Sequence, residues 1–330
     1  MDAQKILDST KVKTFKTCPR KYFFEHVQGW NEQGKAHDLI FGIAFHKGLE
    51  VLYADWKRTG VPGYTDARIE LAYETFLEEY RKSFPPETDE LYEPKVPWNV
   101  LLMYKLYQEQ YDSKDQFEIL ATELAGGLPI TEDASIYFRL DTVCRDDRGV
   151  FILEHKTSKW RVDLWAASFK QSMQVGTGLY ALNSVFEPSE VYGMVLQGFF
   201  FRKLPRLKNN GEPYANSSSG NEIVRHPIMR SGTRLQDWLT TTQAWVASIQ
   251  RQEEILAQES EDDNVLLAFP KNEMGCLSYG RECQYADYCN VWPNPLGEEM
   301  PLGFEKRFWN PMEEPPAEGA MMLNADERRM

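Results

Sequence analysis

The spacing of apolar residues changes period along the chain, and the change divides it. Residues 9–30 read as a short helix, a turn and a second helix, with Thr17 or Cys18 as cap and Pro19 in the first helical position. Tyr22, Phe23, His26 and Val27 fall on one face of the second. From Phe41, apolar residues recur at helical spacing at Phe45, Leu49, Leu52 and Trp56, and the pattern ends near Gly60. Ile69, Tyr73, Phe76 and Tyr80 repeat it as far as Pro85-Pro86, and a further helix runs from about Trp98 to Tyr111. The period then shortens to that of strands. Residues 117–125, 134–146 and 150–156 alternate or run apolar, with Asp146-Asp147-Arg148-Gly149 as a turn between the last two.

A helix from about Asp163 to Val185 and a buried strand from Val191 to Arg202 complete a strand-helix-strand unit, which makes the class mixed α/β. Asn209-Asn210-Gly211 marks a loop. Leu235, Trp238, Leu239, Thr242, Trp245, Val246 and Ile249 define one amphipathic helix. An acidic linker at 259–263 leads to a cysteine-bearing segment, and the tail from Pro293, with six of the 18 prolines, is expected to be extended or disordered.

At 330 residues, 42% hydrophobic and 26% charged, the chain reads as a folded globular protein with room for a substantial core. The longest nearly apolar run, Val191 to Phe201, is too short for a membrane helix and is interrupted by Gln197, so no membrane partner is expected. The first residues lack a secretory pattern, which predicts a cytoplasmic protein whose five cysteines are not disulfides. A net charge of -13 argues against a polyanionic ligand until it is divided. Residues 251–330 hold 17 acids and 7 bases, leaving a nearly balanced 33 and 30 for the rest. Arg202, Lys203, Arg206, Lys208, Arg225, Arg230 and Arg234 gather within 202–234, so nucleic acid stays open as a ligand beside the alternative of a solvated basic hairpin.

The sharpest chemistry is Asp141 in Phe138-Arg139-Leu140-Asp141, followed thirteen positions later by Glu154-His155-Lys156. Alternation points Glu154 and Lys156 to one face, and a hairpin would set Asp141 opposite them. Two carboxylates and an ammonium at a sheet edge suit a hard divalent cation and activation of water, although a plain Asp and a surface Glu–Lys pair share the spacing. His46, in Gly42-Ile43-Ala44-Phe45-His46, is either a packed core histidine or a metal ligand. Gln174 would orient substrate or Lys156, or be an exposed helix glutamine. Glu123 is a further acid near the metal or a solvent-facing residue. Cys276, Cys283 and Cys289, with six and five residues between them, together with Cys18 offer four thiolates for an iron-sulfur cluster or zinc, the alternative being free buried cysteines. Cys144 reads as core.

In their order along the chain, Cys18-Pro19-Arg20-Lys21-Tyr22-Phe23, Gly42-x3-His46, Arg139-Leu140-Asp141, Glu154-x-Lys156, Gln174 and the three late cysteines form a pattern. Over residues 9–292 the chain resembles the PD-(D/E)xK nuclease superfamily, in its RecB/AddB-like exonuclease branch with a four-cysteine iron-sulfur cluster, of phage or bacterial type. The resemblance implies a restriction-endonuclease-like mixed β-sheet core flanked by helices, as a single unit over 1–292. Residues 50–115 would be a helical elaboration, 271–292 a cluster-binding segment and 293–330 a tail. It further implies a DNA exonuclease, rather than an endonuclease, working in recombination, repair or phage DNA processing. His46, Asp141, Glu154 and the main-chain carbonyl of His155 would bind Mg²⁺ or Mn²⁺, with Lys156 as the catalytic lysine and Gln174 as the family glutamine. Cys18, Cys276, Cys283 and Cys289 would hold a [4Fe-4S] cluster, with zinc as the alternative, acting as a staple.

The implied partners are DNA with a free or single-stranded end and a helicase or recombinase. Lys13, Lys16, Arg20 and Lys21 would help steer the DNA backbone, and Trp160 and Trp165 would stack on bases or belong to the core or rim. The chain departs from the family pattern at Gly178, four residues after Gln174, where relatives carry tyrosine and Tyr180 is the nearest substitute here. It departs again in the six residues between Cys276 and Cys283. The rival readings are a non-catalytic DNA-binding or assembly subunit that keeps the fold and cluster, and a zinc-stapled structural protein.

Overall fold

The structure is a computed structural model that describes residues 5–34, 36–159, 162–203, 220–278, 281–310 and 322–323. In chain order the elements are β1 (Lys5–Asp8), α1 (Ser9–Thr17), α2 (Pro19–Tyr22), β2 (Trp30–Glu32), α3 (His37–Thr59), α4 (Asp66–Arg81) and α5 (Pro97–Tyr111). Next come β3 (Glu118–Pro129), β4 (Ala134–Asp146), β5 (Gly149–Ser158), α6 (Val162–Ser168), α7 (Met173–Val185), β6 (Val191–Phe200) and β7 (Glu222–Ile228). The last are α8 (Gly232–Leu256), β8 (Leu277–Ser278), β9 (Arg281–Glu282), α9 (Ala286–Val291), β10 (Phe304–Lys306) and β11 (Met322–Leu323). Two compact units are woven from alternating segments: Met1–Gly34, Gly127–Phe138 and Ser231–Pro315 form one, and Lys35–Gly126, Arg139–Arg230 and Pro316–Met330 the other.

The second unit carries the mixed sheet, in the order β11-β3-β4-β5-β6-β7. β4 and β5 form the expected hairpin, closed at Gly149 with φ 124 and by the Asp146 carboxylate accepting the Arg148 N–H at 2.9 Å. β6 returns parallel to β5 after α6 and α7, and β7 runs back antiparallel to β6. Helices α3, α4 and α5 cover the face that receives Phe151 and Leu153, and their contacts are largely aromatic. Phe45 meets Phe199 at 4.8 Å, Phe41 meets Phe201 at 5.0 Å and Trp56 stacks on Phe117 at 5.0 Å between centroids. A Cβ at Gly48 would lie 2.6 Å from the Ala72 carbonyl oxygen, so the approach of α3 to α4 requires a glycine there. Helix α7 lies against the opposite face, where Gly178 abuts Met194, Ile152 and Leu140. Gly178 is therefore closed in by core packing.

The structure departs from the sequence reading in two places here. The single helix expected over 163–185 is two helices, because i→i−3 bonds (Phe169 N–H to Ala166, Lys170 N–H to Ala167) tighten the end of α6 and Ser172 opens α7. Strand β7 was not foreseen, since Arg225, His226 and Pro227 break any apolar alternation. Asn221 and Asn99 clamp the chain on either side of 204–219. The Asn221 side chain accepts the Arg202 N–H at 3.0 Å and donates to Asn99 Oδ1 at 2.7 Å, while Asn99 donates to the carbonyls of Pro94 and Arg202 at 2.8 and 3.2 Å. The loop read at Asn209-Asn210-Gly211 lies outside the described residues, as do Arg206 and Lys208.

In the first unit β1 pairs parallel with the start of β4, and Asp8 caps α1 by accepting the Lys11 N–H at 2.7 Å. Cys18 is extended, Pro19 begins α2 as expected, and a π-helical turn continues over Phe23–Val27. Phe269 is packed by Phe15, Tyr22 and Phe23, and Phe15 also meets Trp245 of α8. Within the expected tail, β10 pairs antiparallel with β2, and 311–321 and 324–330 lie outside the described residues. Among the described residues no helix is long and apolar enough to cross a membrane.

Candidate active site

Backbone pairing between β4 and β5 is recorded up to Thr142 opposite Leu153, and beyond it a side chain takes over. The Asp141 carboxylate accepts the His155 N–H at 2.7 Å through Oδ2, while Oδ1 lies 3.3 Å from His46 Nδ1 on α3. On β5, Lys156 Nζ donates to Glu154 Oε1 at 2.6 Å, so the alternation read from the sequence places both on one face. Gln174, in the first turn of α7, donates to the same oxygen at 2.6 Å. Glu154 Oε1 thus takes both donors. His46, Asp141, Glu154, Lys156 and Gln174, named from separate stretches of sequence, meet where the hairpin opens.

Glu123 belongs with them. It sits in β3 with φ 49, a left-handed conformation that costs a non-glycine residue about 1–2 kcal/mol. Strand burial loses its alternation on both sides, since Ala121-Thr122 and Leu124-Ala125-Gly126 are buried in succession. The distortion aims Glu123 at Arg139, 3.6 Å away. Burial, then the charges of Asp141 and Glu50, push the Glu123 carboxyl up to about 9. Burial works against ionised Asp141, but His46 and Lys156 hold it well below the usual carboxylate range. Burial likewise opposes the charge on His46 and on Lys156, and nearby carboxylates, Asp141 for the first and Glu154 for the second, raise both. Glu154 itself is raised by burial and by Asp141.

Two site residues escaped the sequence reading. Glu50 lies one turn beyond His46 on α3, is raised by burial, and feels Arg139, Asp141 and His46. The i, i+4 spacing of His46 and Glu50 was the available signal. Arg139 stood inside a quoted motif without a role. Three expectations are corrected or resolved by burial. Arg20 does not face solvent to steer DNA; it is 2% exposed, and donates to the carbonyls of Phe269 and Leu266 at 2.9 and 3.0 Å. Arg225 is likewise unavailable, being held by Asp115 at 2.5 and 2.6 Å. Trp165 is buried against Phe200 and Phe169, the core reading, and Trp160 lies outside the described residues.

The four named cysteines are free. Cys283 N–H donates to the Cys276 carbonyl at 2.8 Å, and the Cys289 N–H to Tyr285 at 2.9 Å. A Cβ on Gly275 would lie 2.8 Å from Cys18 Cβ, which brings Cys18 beside the late cysteine segment. Electrostatically Cys283 feels Cys18 and Cys276, and Cys289 feels Cys18 and Cys283. Cys144 is buried alone in the core of the other unit, as read. Among the described residues no group of three or more His, Cys, Asp or Glu side chains is arranged to hold a metal ion as it stands. At the β4–β5 opening the reason is visible: Glu154 and Asp141 each spend oxygens on Lys156, Gln174, His46 and His155.

Hard-cation chemistry suits the carboxylate group, because its carboxylates and imidazole are oxygen and nitrogen donors beside a lysine placed to meet an anion. The family model of the PD-(D/E)XK nuclease superfamily matches residues 9–290. Among curated proteins none matches the chain.

Proposed function

The chain belongs to the PD-(D/E)XK nuclease superfamily, and from that premise we propose that it is a divalent-metal-dependent DNA exonuclease. The observation that carries the reading is the gathering of Asp141, Glu154, Lys156 and His46 at the opening of the β4–β5 hairpin. His46, Asp141, Glu154 and the main-chain carbonyl of His155 would hold Mg²⁺ or Mn²⁺, and a bound ion supplies Lewis acidity and lowers the pKa of its water. As a ligand His46 would be neutral and would no longer share a proton with Asp141. Gln174 steadies Glu154 by holding Oε1, which leaves Oε2 for coordination. Lys156, kept charged by Glu154 and Asp141, meets the phosphate and the attacking oxygen, where negative charge grows as the phosphodiester bond is hydrolysed.

We further assign the chain to the RecB/AddB-like branch, with Cys18, Cys276, Cys283 and Cys289 holding a [4Fe-4S] cluster. Four thiolates fit that group chemically, and the surroundings are cationic: Arg20 acts on Cys289 and Cys18, Lys21 on Cys283, and Lys271 on Cys289. Arg20 Nη1, moreover, is buried with no hydrogen-bond partner. Joining Cys18 to Cys276 ties positions 258 apart, so the cluster serves as a staple; zinc on the same thiolates is the alternative. The substrate is DNA with a free or single-stranded end, delivered by a helicase or recombinase. The complete set of Asp141, Glu154 and Lys156 weighs against a subunit that only binds. Incubation with end-labelled linear and with circular DNA, with and without Mn²⁺, tests the reading. Mn²⁺-dependent loss of linear DNA alone is expected, and nicking of circles would make the enzyme an endonuclease.

A further inference from the structure

Three residues stand side by side across the sheet on the face turned away from the catalytic carboxylates: His155 on β5 pairs in register with Gln197 on β6, and Gln197 with Arg225 on β7. Their side chains are linked in the same order. Arg225 Nε donates to Gln197 Oε1 at 2.6 Å, and Gln197 Nε2 meets His155 Nδ1 at 3.3 Å. At the outer end Asp115 grips Arg225 with both oxygens, Tyr107 accepts from Arg225 at 3.2 Å, and Tyr64 donates to Asp115. Arg225 also lies 3.9 Å over the Tyr111 ring. At the inner end the His155 ring stacks on Tyr53, 5.4 Å between centroids and 7° from parallel. Gln197 is 0% exposed, His155 2% and Asp115 3%.

The chemistry of the row fixes a proton. A guanidinium only donates, so Gln197 must present its oxygen to Arg225 and its amide N–H to His155. His155 Nδ1 is then an acceptor, the ring proton sits on Nε2, and that nitrogen has no hydrogen-bond partner. A buried donor left unpaired costs stability, and a set of polar groups this dry is out of place as plain packing. What the row holds still is the middle of Glu154-His155-Lys156, whose N–H fixes the Asp141 carboxylate.

We propose that Gln197, Arg225 and Asp115 are positioning residues for the metal site: through the His155 imidazole they set the orientation of the β5 main chain, and with it the aim of Asp141 and of the His155 carbonyl. The proposal rests on the reading of the β4–β5 opening as the nuclease centre. Partners one step removed from metal ligands fix ligand orientation in just this way.

The test uses the full chain with Gln197→Glu and Gln197→Leu. Gln197→Glu keeps an acceptor for Arg225 but removes the donor to Nδ1, so the ring proton must move to Nδ1. Imidazole nitrogen resonances of labelled His155 should report Nε2–H in the wild type and Nδ1–H in this variant. Calorimetry should show Mn²⁺ affinity weakened roughly 10–100-fold, with kcat falling by a similar factor and KM little changed. Gln197→Leu should lose the same affinity with the Arg225–Asp115 pair intact. A wild-type ring already protonated at Nδ1 would overturn the proposal. So would either variant binding Mn²⁺ as the wild type does, even with a lowered melting temperature. A wild type that binds Mn²⁺ yet cleaves no DNA would sink the nuclease reading alone, since tautomer and affinity still judge the row.

Discussion

At the end of β5 every ligand-type side chain already has a charged or hydrogen-bonding partner, whereas the thiols near Cys18 are met mainly by main chain and by a field of nearby cations. Lys156 sits 2.6 Å from Glu154 and His46 3.3 Å from Asp141. Cys283 instead accepts from the Tyr285 main chain, and burial pushes its thiol up, and that of Cys289 up to about 11. Asp141 is thus ionised, and it and Glu154 are held in place before any ligand arrives. Those two thiols are protonated at neutral pH and must release protons to become ligands, so occupancy there is coupled to pH and to folding far more strongly.

The contrast is most easily broken at Lys156. Lys156→Ala should lower DNA cleavage by about 10²–10³-fold or more, since it removes charge at the phosphate. Circular dichroism should remain that of a folded protein, because Gln174 still holds Glu154, and iron content should be unchanged. Near-wild-type turnover would remove Lys156 from the reaction, and loss of iron would show that the two regions are not independent. Cys18→Ala should act in the opposite sense. Protein purified without oxygen should lose its brown colour, iron and sulfide, and melt roughly 3–4 °C lower, equivalent to about 2–3 kcal/mol. Colourless wild-type protein with about one zinc per chain would favour the tetrahedral four-thiolate alternative.

His46→Ala sharpens the comparison through pH. Asp141 raises His46 above its ordinary 6.5 despite burial, so the folded state binds that proton more tightly than the unfolded chain. The stabilisation is fully present below pH 6.5 and fades as pH rises through the folded value. The melting-temperature gap between wild type and His46→Ala should therefore be widest in mild acid and close in alkali, while Mn²⁺ affinity falls in the variant. A gap independent of pH would return His46 to a packing role. The smallest effect in mild acid is expected for Glu123→Gln. With its carboxyl raised to about 9, Glu123 folds protonated, and its contribution is lost as pH climbs from the unfolded value of 4.5 through 9. The near-isosteric amide should lie close to wild-type stability at pH 5 and exceed it by a widening margin as pH rises to 9, in thermal melts across that range.

Periodicity alone carried the sheet hairpin and the helices around Phe45, Phe76 and Leu235, because each buries one face and alternation encodes that directly. Asp141, Glu154 and Lys156 were legible for the same reason: period-2 spacing fixes a face, and the hairpin fixes the partner. Glu50 was hidden because an acid on a helix rim looks like a solvated charge until Asp141 is beside it. Gln197 looked like a flaw in an apolar strand, and Arg225 like one of several surface bases. Only the register of β5, β6 and β7 makes them neighbours. Arg20 misled in the same direction, since its carbonyl partners at 266 and 269 lie about 250 positions away in sequence.

The asparagine clamp at Asn99 and Asn221 has a practical consequence for engineering. The clamp fixes the chain at Arg202 and at Asn221, where β6 ends and β7 begins. Doubling the length of a flexible connection between pinned ends costs only about 0.6 kcal/mol in closure entropy. A fluorescent reporter or an affinity peptide grafted between Lys203 and Gly220 should therefore leave β6 and β7 paired, and so provide a handle for following the enzyme along DNA.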